Sequence, residues 1–580
     1  MENVNLKING ISLSVPKGTT ILQAARQAGI EIPTLCYLKE INEIGACRIC
    51  VVEVKGAKGL VTACVYPVSE GMEVFTNTER VRHARKTTLE LILSVHDKSC
   101  LSCIKSGKCE LQKLCYEYGV DNVNAFAGEM PKYELDYSAP HMVRDNNKCV
   151  LCRRCVAACD AQGIGVIGAN NRGFDTAIGC AFDKELADVA CISCGQCIVA
   201  CPTGALYEKD DTDKVLEAIN DPDKFVIVQT APSIRATLGE AFGMPIGTNV
   251  EGKMAAALRR LGFDKVFDTD FAADLTIMEE AHEFLDRVQN GGVLPLMTSC
   301  SPGWIKYCEH YYPEFIPNLS SCKSPQQMFG AVMKTYYAQK MNLDPKDMVV
   351  VGVMPCTAKK FEIGRPDQSA SGYPDVDISI TTRELAHLIE GAGIRFTALP
   401  DEAFDTPFGE STGASTIFGA TGGVMEAALR TAVETLTGEE LADVEFKDVR
   451  GMDSVKEASY DVAGLTVNVA VVSGTKNAKA VLEKVKSGEK NYHFIEVMAC
   501  PGGCINGGGQ PTQPASVRNF EDLKALRAKA LYTADAQNVK RKSHENEAIQ
   551  QLYKDYLGEP GSHKAHEILH TSYVERKVYE

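Results

Sequence analysis

The chain begins with two short stretches in which apolar and polar residues alternate, and this pattern predicts a β-hairpin. Side chains along a strand point to opposite faces with a period of two, so each stretch should bury one face. Between the stretches stands Asn9-Gly10, a pair that favours a two-residue hairpin turn. A helix should begin near Ile21, because Thr19-Thr20 can cap the apolar residues that follow. The alternating apolar positions are Val4, Leu6, Ile8, Ile11, Leu13 and Val15.

Residues 209–580 show a different pattern, in which strand-like apolar runs alternate with amphipathic helices. The run from Val349 to Met354 is typical of a buried strand, and residues 423–436 carry a helical period that should end at Gly438. This alternation predicts an α/β domain. The domain contains neither a G-x-G-x-x-G motif that opens a helix after a strand nor a G-x-x-x-x-G-K-[ST] motif. The sequence therefore indicates no nicotinamide or nucleotide site in this chain.

Composition is that of a globular protein and argues against several classes of partner. Of 580 residues, 45% are apolar and 24% are charged, and the length suggests about three to five domains. No apolar run reaches the roughly 18 residues that a membrane helix needs. With 61 Lys and Arg against 76 Asp and Glu, the formal charge of −15 argues against broad binding to nucleic acid or to an anionic membrane.

A total of 23 cysteines is unusual in a chain whose first residues show no secretory signal pattern. In a reducing cytoplasm, where we expect this protein, such a number indicates metal ligands and not disulfides. All but four of the cysteines fall into spaced groups. The four others should behave as small buried apolar residues, and they are Cys115, Cys180, Cys308 and Cys322.

The first group follows the predicted hairpin and helix and consists of Cys36, Cys47, Cys50 and Cys64. A hairpin, a helix and a cysteine loop in this order resemble a β-grasp ferredoxin, although the spacing C-x10-C-x2-C-x13-C is looser than in plant-type ferredoxins. The resemblance implies a [2Fe–2S] cluster in a domain spanning residues 1–79. A structural zinc site is the alternative, because zinc also accepts four sulfur ligands.

The second group, in residues 80–126, combines one imidazole with three thiols: His96, Cys100, Cys103 and Cys109. Beside a ferredoxin domain, this set resembles the His-ligated [4Fe–4S] site in the large iron–sulfur subunit of complex I and its relatives. Two alternatives remain open from the residues alone, namely a zinc site and a surface histidine on a helix.

Two copies of the spacing C-x2-C-x2-C-x3-C lie 42 positions apart in residues 139–208. This run is typical of bacterial two-cluster ferredoxins, in which the fourth cysteine of each copy ligates the cluster of the other copy. One [4Fe–4S] cluster should therefore be held by Cys149, Cys152, Cys155 and Cys201. The other should be held by Cys191, Cys194, Cys197 and Cys159. Four clusters in succession predict an electron-transfer chain that ends at a group using electrons.

Three segments of the α/β region contain the last patterned cysteines. They are residues 298–304 with Cys300, residues 354–362 with Cys356, and residues 496–511 with Cys500 and Cys504. Ligands so far apart in sequence predict a fifth cluster at the centre of a fold. Glycines around Cys504 would let the backbone approach a bulky cofactor, and Lys359 could donate to an anionic metal-bound group. A plain structural [4Fe–4S] cluster is the simpler alternative.

These three segments resemble the signatures of [FeFe]-hydrogenases, and the resemblance extends over essentially the whole chain. It implies a catalytic domain in residues 209–580 with an H-cluster, a [4Fe–4S] cubane bridged by cysteine to a diiron unit carrying CO, cyanide and a dithiolate. Cys504 would be the bridge, and Cys356 and Cys500 would also ligate the cubane. Hydrogen bonds to cyanide or CO would come from Lys359, Ser233 and Gln326. The pocket would be lined by Met354, Met498, Pro232, Phe418 and Gly419.

One departure from this family concerns the fourth cubane ligand. Members normally have a second cysteine where this chain has Ser301, directly after Cys300. Either Ser301 ligates iron as an alkoxide and leaves Cys300 to relay protons, or Cys300 ligates iron after a local backbone shift. Thiolate suits an iron–sulfur cluster better than alkoxide, which slightly favours Cys300 as the ligand.

A predicted helix around residues 278–287 contains a candidate proton route. Glu280 and Glu283 are three residues apart, and Glu283 and Arg287 are four apart, so all three share one face. From spacing alone, a solvent-facing, ion-paired helix is the simpler interpretation. The hydrogenase resemblance instead implies a relay through Cys300, Glu280, Ser320, Glu283 and Arg287.

Three histidines near the C-terminus also have helical spacing, which can indicate zinc. They are His563, His566 and His570. No neighbouring carboxylate or cysteine completes the set, so a packed surface helix is the better interpretation.

The sequence thus predicts a multidomain α+β and α/β protein with a β-grasp ferredoxin, a His/Cys cluster domain, a two-cluster ferredoxin and a large catalytic domain. The resemblance implies reversible conversion of H2 to protons and electrons, and dedicated maturation proteins. The C-terminal residues favour the catalytic subunit of an NAD(P)-linked, electron-bifurcating complex with a flavin-containing subunit. A stand-alone ferredoxin-linked enzyme is the alternative. Because Ser301 replaces the usual cysteine, a low-activity H2 sensor is a further alternative. A complex I-type subunit fits the first three domains but not the later segments.

Overall fold

The structure, a computed structural model, describes residues 2–298, 300–441, 443–462 and 464–578. Contacts divide the chain into two units. The first unit comprises Met1–Val189, Gln196–Tyr207 and Thr512–Glu521. The second unit comprises Ala190–Gly195, Glu208–Pro511 and Asp522–Glu580. In the described residues, none of the helices combines the length and the apolar character needed to cross a membrane.

Short strands and helices form both units. The strands are β1 (Asn3–Ile8), β2 (Ile11–Pro16), β3 (Val51–Val54), β4 (Val61–Thr62), β5 (Met72–Phe75), β6 (Met142–Arg144), β7 (Gly168–Asn170), β8 (Ala177–Gly179), β9 (Leu206–Glu208), β10 (Phe225–Thr230), β11 (Lys265–Asp268), β12 (Leu296–Met297), β13 (Met348–Met354), β14 (Ile378–Thr381), β15 (Val455–Val462), β16 (Leu465–Ser473) and β17 (Phe494–Met498).

The α-helices are α1 (Ile21–Gln27), α2 (Glu79–Leu93), α3 (Glu110–Glu117), α4 (Arg154–Ala161), α5 (Gln196–Ala200), α6 (Thr212–Asn220), α7 (Glu251–Leu261), α8 (Thr269–Asn290), α9 (Pro302–Tyr311), α10 (Pro325–Val332), α11 (Ala338–Met341), α12 (Lys359–Glu362), α13 (Thr382–Gly391), α14 (Gly413–Thr416), α15 (Gly423–Thr437), α16 (Thr475–Lys486), α17 (Ala515–Arg518), α18 (Leu523–Gln537), α19 (Glu547–Leu552) and α20 (His563–Leu569).

The first unit opens with the predicted hairpin, β1–β2. Its register pairs Val4 with Val15 across antiparallel strands. Asn9 and Gly10 have φ angles of 49° and 85°, the positive values that a tight hairpin turn requires at both central positions. Three more strands extend the sheet in the order β2-β1-β5-β3-β4. Helix α1 begins with a capping box in which Thr20 is the N-cap, so the hairpin and helix predictions are confirmed.

Two four-stranded sheets organise the second unit. The first sheet has the order β11-β10-β13-β14 and is parallel throughout. The second has the order β12-β17-β16-β15, in which only β15 runs antiparallel to its neighbour. Strand β13 contains the predicted run 349–354, and α15 ends at Gly438, whose φ is 68°. The α/β prediction for this region is therefore confirmed.

A buried network of charged side chains joins α15 to α18 in the second unit. Arg430 donates to Glu426 at 2.7 Å and to both carboxylate oxygens of Asp535 at 2.9 Å, and all three side chains are fully buried. Arg450 donates to Glu426 from the other side. A buried ion pair adds little stability over an apolar pair, but removal of one partner leaves a buried charge without compensation.

We therefore predict that Arg430→Met lowers the thermal midpoint of the second unit by several degrees. The loss should correspond to about 1–3 kcal/mol, because both carboxylates lose the Arg430 guanidinium but Glu426 keeps Arg450 and Asp535 keeps Arg541. Differential scanning calorimetry under anaerobic conditions measures the effect. Lys486→Met is the matched control, because Lys486 pairs with Glu314 at a solvent-exposed position. An equal shift in both variants would contradict the assignment.

Candidate functional site

The ends of several parallel strands surround one cavity in the second unit. Strand β13 leads into Cys356, β17 leads into Cys500 and Cys504, and β12 precedes Cys300 and Ser301. Parallel strands end on the same edge of a sheet, and here loops that follow β13 of one sheet and β12 and β17 of the other meet at the cavity. The cavity has a volume of about 70 Å³. Its lining includes Cys300, Ser301, Cys356, Cys500, Cys504, Pro232, Gln326, Met354, Lys359, Phe418, Gly419 and Met498.

The sulfur donors at this cavity are in an environment that disfavours free thiolates. Burial raises the pKa of Cys504 to about 12, and it also raises the pKa of Cys356. Buried thiols of this kind stay protonated unless a metal takes the place of the proton. Three cysteines from two loops, in an otherwise apolar lining, therefore fit the donor set of an iron–sulfur group.

Lys359 is the one cationic side chain among the cavity-lining residues of the described chain. Its Nζ donates to the carbonyl oxygen of Cys300 at 3.2 Å, to Ser324 Oγ at 2.8 Å and to Glu362 at 2.9 Å. Gln326 Nε2 donates to the same Glu362 oxygen at 3.1 Å. Glu362 thus accepts hydrogen bonds from both Lys359 and Gln326. Sequence reasoning gave Glu362 no role, although its i,i+3 spacing from Lys359 was a usable signal.

Ser233 lies just outside this lining, in the turn that follows β10. It is fully buried, and its Oγ accepts a hydrogen bond from Gln510 Nε2 at 3.1 Å. Gln510 in turn accepts from Thr237 and Thr382 through Oε1. Thr269, Ala273 and Pro325 also line the cavity and were not anticipated from sequence. No sequence motif marks these three residues, because side chains that only shape a cavity need no fixed spacing along the chain.

Cys300 and Ser301 face different neighbours. Ser301 Oγ accepts a hydrogen bond from the backbone N–H of Ala499 at 3.3 Å, next to Cys500. The thiol of Cys300 has its pKa raised by burial first and then by the Glu280 carboxylate. The Cys504 thiol also raises this pKa, so Cys300 is within electrostatic reach of both the first acid of the predicted relay and a predicted cubane ligand. Ser299, which precedes it, is outside the described residues.

Helix α8 contains the three charged residues of the predicted route. Glu280 is 1% exposed, so a solvent-facing helix does not describe this position. Glu283 accepts from Ser320 Oγ at 3.1 Å and from Arg287 at 2.6 Å. The structure thus brings Ser320, Glu283 and Arg287 into direct contact and places Glu280 near the Cys300 thiol.

In the first unit, the four cysteines of the ferredoxin loop meet. Cys50 Sγ lies 3.2 Å from Cys64 Sγ, and the backbone N–H of Cys47 donates to Cys36 Sγ at 3.5 Å. A hydrogen bond from Cys36 lowers the pKa of Cys47 to about 6. Cys50 and Cys64 lie in the core of the β-grasp sheet, Cys36 is also buried, and Cys47 is partly exposed.

The three cysteines of the His/Cys group lie within electrostatic reach of one another. Cys109 is close enough to Cys103 and Cys100 for both to raise its pKa, although burial is the main cause. His96 is buried, and its Nδ1 has no hydrogen-bond partner in the described part of the chain. Burial lowers the pKa of His96 to about 4, so the ring is neutral near pH 7. A neutral, buried imidazole is what a metal ligand requires and is not what a surface histidine on a helix would show.

The crossed arrangement expected of a two-cluster ferredoxin is visible for one ligand set. Cys149, Cys152 and Cys155 line a small cavity together with Cys201, which comes from the second copy of the motif. Cys159 and Cys197 belong to the first unit, and Cys191 and Cys194 belong to the second.

The remaining cysteines and the C-terminal histidines have mixed environments. Cys180, Cys308 and Cys322 are fully buried as expected, whereas Cys115 is only partly buried. Helix α20 buries Ala565, Ile568 and Leu569 and keeps His563 and His566 on its outer side. This agrees with a packed surface helix for these two residues. The expectation is wrong for His570, whose side chain is 6% exposed and lies beside the carboxylates of Glu279 and Glu283 and the thiol of Cys322, because these neighbours come from distant parts of the chain.

Comparison with protein families covers most of the chain. Residues 224–508 match "Iron only hydrogenase large subunit, C-terminal domain", and residues 521–576 match "Iron hydrogenase small subunit". Residues 1–79 match a 2Fe-2S iron-sulfur cluster binding domain. Residues 85–124 match "NADH-ubiquinone oxidoreductase-G iron-sulfur binding region", and residues 148–205 match a 4Fe-4S dicluster domain.

Individual relatives span the same length. The chain is 52% identical to "NADP-reducing hydrogenase subunit HndD" of Solidesulfovibrio fructosivorans, covering 100% of both chains. It is 46% identical to "Iron hydrogenase 1" of Clostridium pasteurianum, covering 98% of this chain and 99% of the relative. A solved variant of the [FeFe]-hydrogenase HydA1 from Chlamydomonas reinhardtii is 41% identical, with a TM-score of 0.57 over 64% of this chain and 100% of that one.

The converging sulfur donors, the ferredoxin-like domains and the α/β domain define an iron–sulfur oxidoreductase of the hydrogenase class. The chain belongs to the [FeFe]-hydrogenase, or iron-only hydrogenase, family. It is a hydrogenase with accessory 2Fe-2S and 4Fe-4S binding domains. A complex I-type iron–sulfur subunit, considered from sequence, is excluded by the match over residues 224–508.

Proposed function

We propose that this chain is a catalytic subunit that interconverts H2 with two protons and two electrons at an H-cluster. The single observation that supports this most is the convergence of Cys356, Cys500 and Cys504 with Lys359 on one cavity. The H-cluster would supply the redox chemistry and the binding of hydrogen at its diiron unit. The protein supplies ligands, hydrogen bonds, a route for protons and exclusion of water.

The accessory domains are proposed to hold one [2Fe–2S] and three [4Fe–4S] clusters. We assign residues 1–79 to the [2Fe–2S] domain, 80–126 to the His/Cys3 domain, 139–208 to the two-cluster domain and 209–580 to the catalytic domain. The buried thiol pairs of the first domain and the four-cysteine cavity at Cys149 and Cys201 support these ligand sets. The maturation proteins expected for the diiron unit belong to the same proposal.

Lys359 is proposed to hold its ammonium toward the cavity. Because Glu362 and Ser324 fix Nζ from behind, the charge stays in place without solvent. Gln326 Nε2 is fixed by the same Glu362, and Ser233 Oγ is fixed by Gln510. These groups would orient the anionic ligands of the cofactor. The apolar side chains of Met354, Met498, Pro232 and Phe418, with Gly419, would keep water out.

For the unusual pair, we propose that Cys300 relays protons and that Ser301 occupies the fourth cubane position. Support comes from the electrostatic influence of Glu280 on the Cys300 thiol and from the hydrogen bond of Ser301 Oγ with the N–H of Ala499, the residue before Cys500. Ligand chemistry alone slightly favours Cys300 as the iron ligand, because thiolate suits an iron–sulfur cluster better than alkoxide. The present proposal differs from that expectation. Protons would then pass between Arg287, Glu283, Ser320, Glu280 and the Cys300 thiol.

The electron partner is proposed to be a flavin-containing, NAD(P)-binding subunit of an electron-bifurcating complex in the cytoplasm. The full-length relative at 52% identity is named an NADP-reducing hydrogenase subunit, which supports this choice. A stand-alone enzyme that uses ferredoxin is the second candidate, because a relative of equal coverage is named simply an iron hydrogenase. A low-activity H2 sensor remains the outcome if Ser301 disables turnover.

The first prediction concerns the cofactor and the pair at 300 and 301. Infrared spectra of the anaerobically matured protein should show iron-bound CO and cyanide stretches, and the same sample should turn over H2. Ser301→Cys should keep the bands and raise turnover, because it restores a fourth thiolate. Cys300→Ala should keep the bands and lose most turnover, because it removes the innermost proton carrier.

Other results are informative. Bands without turnover in the parent protein would favour the sensor. Loss of the bands in Cys300→Ala, with their retention in Ser301→Ala, would reverse the ligand assignment. A matured protein without any bands would overturn the hydrogenase proposal for this chain.

The second prediction tests the proton route. Glu280→Gln should keep the infrared bands and lower turnover by about 100-fold or more, because an amide cannot carry the proton. Asp286→Asn is the matched control, since Asp286 is exposed on the same helix. Unchanged turnover in Glu280→Gln would remove Glu280 from the route.

The third prediction concerns the electron partner. Purification from the native source should recover the chain with a flavoprotein, and the complex should couple H2 oxidation to NAD(P)+ reduction. The isolated chain should then reduce NAD(P)+ poorly, because it contains no recognisable nucleotide motif. A monomer that is fully active with ferredoxin alone would favour the stand-alone enzyme.

A further inference from the structure

Three metal-binding side chains from distant parts of the second unit meet beside the proposed proton route. They are Glu283 on α8, Cys322 before α10 and His570 at the end of α20. One donor atom from each lies within 4.8 Å of the other two. Cys322 is fully buried and the His570 side chain is 6% exposed. Carboxylate, thiol and imidazole together are the ligand types that zinc prefers.

Backbone pairing fixes two of these residues relative to each other. Cys322 and His570 form an isolated antiparallel bridge. The hydrogen bonds flank the pair, from Lys323 N to the Leu569 carbonyl at 2.8 Å and from Thr571 N to the Ser321 carbonyl at 2.7 Å. In such a non-hydrogen-bonded pair the α-carbons approach most closely and both side chains point to the same face. The thiol and the imidazole are thus set side by side by the main chain.

The buried carboxylate of Glu279 fixes the orientation of the His570 imidazole. His570 Nε2 lies 3.1 Å from Glu279 Oε2, and Glu279 is further held by the Tyr553 hydroxyl and by Gly561 N. A carboxylate that accepts Nε2–H leaves the lone pair of Nδ1 on the opposite side of the ring. There Nδ1 lies 2.8 Å from Ser321 Oγ, which is also 3.2 Å from Glu283. The ring of His566 stacks on His570 at 3.9 Å and restrains its plane.

The charge balance also suits a divalent cation. A zinc ion on neutral His570, the Glu283 carboxylate and the Cys322 thiolate gives a neutral set, because two negative ligands offset two positive charges. Binding would release the Cys322 thiol proton to solvent. Without a cation, burial and the neighbouring Glu283, Glu280 and Glu279 carboxylates raise the pKa of Cys322 far above its usual range. A buried thiol among acids is the position at which a cation replaces a proton most favourably.

We propose that Glu283, Cys322 and His570 form an inhibitory zinc site, with water as the fourth ligand. Its effect on turnover rests on the proposed proton route, whereas zinc binding itself does not. A zinc ion on Glu283 would withdraw the carboxylate from Ser320 and Arg287, which it now contacts at 3.1 and 2.6 Å. Proton passage would then stop at this residue.

The binding test uses the matured holoprotein, stripped with EDTA and given one equivalent of zinc. Zinc K-edge X-ray absorption is suitable because the iron clusters do not contribute at that edge. We expect one sulfur ligand at about 2.3 Å and nitrogen or oxygen ligands at about 2.0–2.2 Å. Cys322→Ala should lose the sulfur ligand. Cys308→Ala is the matched control, because Cys308 is equally buried in the same unit but donates to the Tyr312 carbonyl oxygen and is not one of the three converging side chains.

The inhibition test measures H2 turnover against zinc concentration, with each variant normalised to its own zinc-free rate. The parent protein should be inhibited reversibly, with recovery on addition of EDTA. Cys322→Ser and His570→Gln should each raise the half-inhibitory zinc concentration by at least about 10-fold. Cys322→Ser is nearly isosteric, so it covers the case in which Cys322→Ala fails to fold.

The two measurements separate the possible failures. A parent protein without sulfur-ligated zinc, or a sulfur ligand that persists in both Cys322 variants, would overturn the site. Sulfur-ligated zinc without inhibition, in a protein that loses turnover on Glu280→Gln, would overturn the blocking role. If the chain has no hydrogenase turnover at all, the absorption spectrum still decides whether the zinc site exists.

Discussion

Burial of sulfur donors is the constraint on which the catalytic unit depends. The thiols at the cavity are removed from water, and the resulting rise in pKa keeps them protonated unless iron replaces the proton. The proposed cluster would therefore contribute to the stability of the core, because it would take the place of protons on thiols that the fold has already buried. The cavity also depends on both sheets of the unit. Cys356 follows β13 of one sheet and Cys500 follows β17 of the other, so two segments more than a hundred residues apart meet where the two sheets end.

Helix α8 shows how the same burial applies to acids. Its N-terminal part is buried on almost all sides and contains Asp270, Asp274, Glu279 and Glu280 at 0–1% exposure, which is unusual for acidic residues. Hydroxyl and amide groups from other elements contact several of these acids, such as Thr412 and Asn546 at Asp274. Burial raises the pKa of Asp274 to about 6, so a fraction of it holds a proton near neutral pH. Helix α8 thus holds several groups that can accept protons in fixed positions.

Much of the fold and of the ligand sets could be predicted because the signals are local. The hairpin at Asn9-Gly10, the cap at Thr20 and the end of α15 at Gly438 each depend on a few adjacent residues. The crossed cluster is also local in this sense, since its motif encodes the exchange of Cys201. The pairing of Cys322 with His570 was missed because it arises from tertiary contacts. Cys322 and Glu283, whose donor atoms lie beside that of His570, are 248 and 287 residues upstream of it.

Residues 522–578 are held on the second unit by contacts that do not depend on the connection preceding them. Asp535 is locked to Arg430, and residues 569–571 pair with residues 321–323 through main-chain hydrogen bonds. Neither contact needs the peptide bonds between 511 and 522. A break there would leave two pieces that recognise each other through buried charge and strand pairing. Gene fission or fusion at this point would therefore change the number of polypeptides while leaving the core the same, and assembly would then depend on concentration.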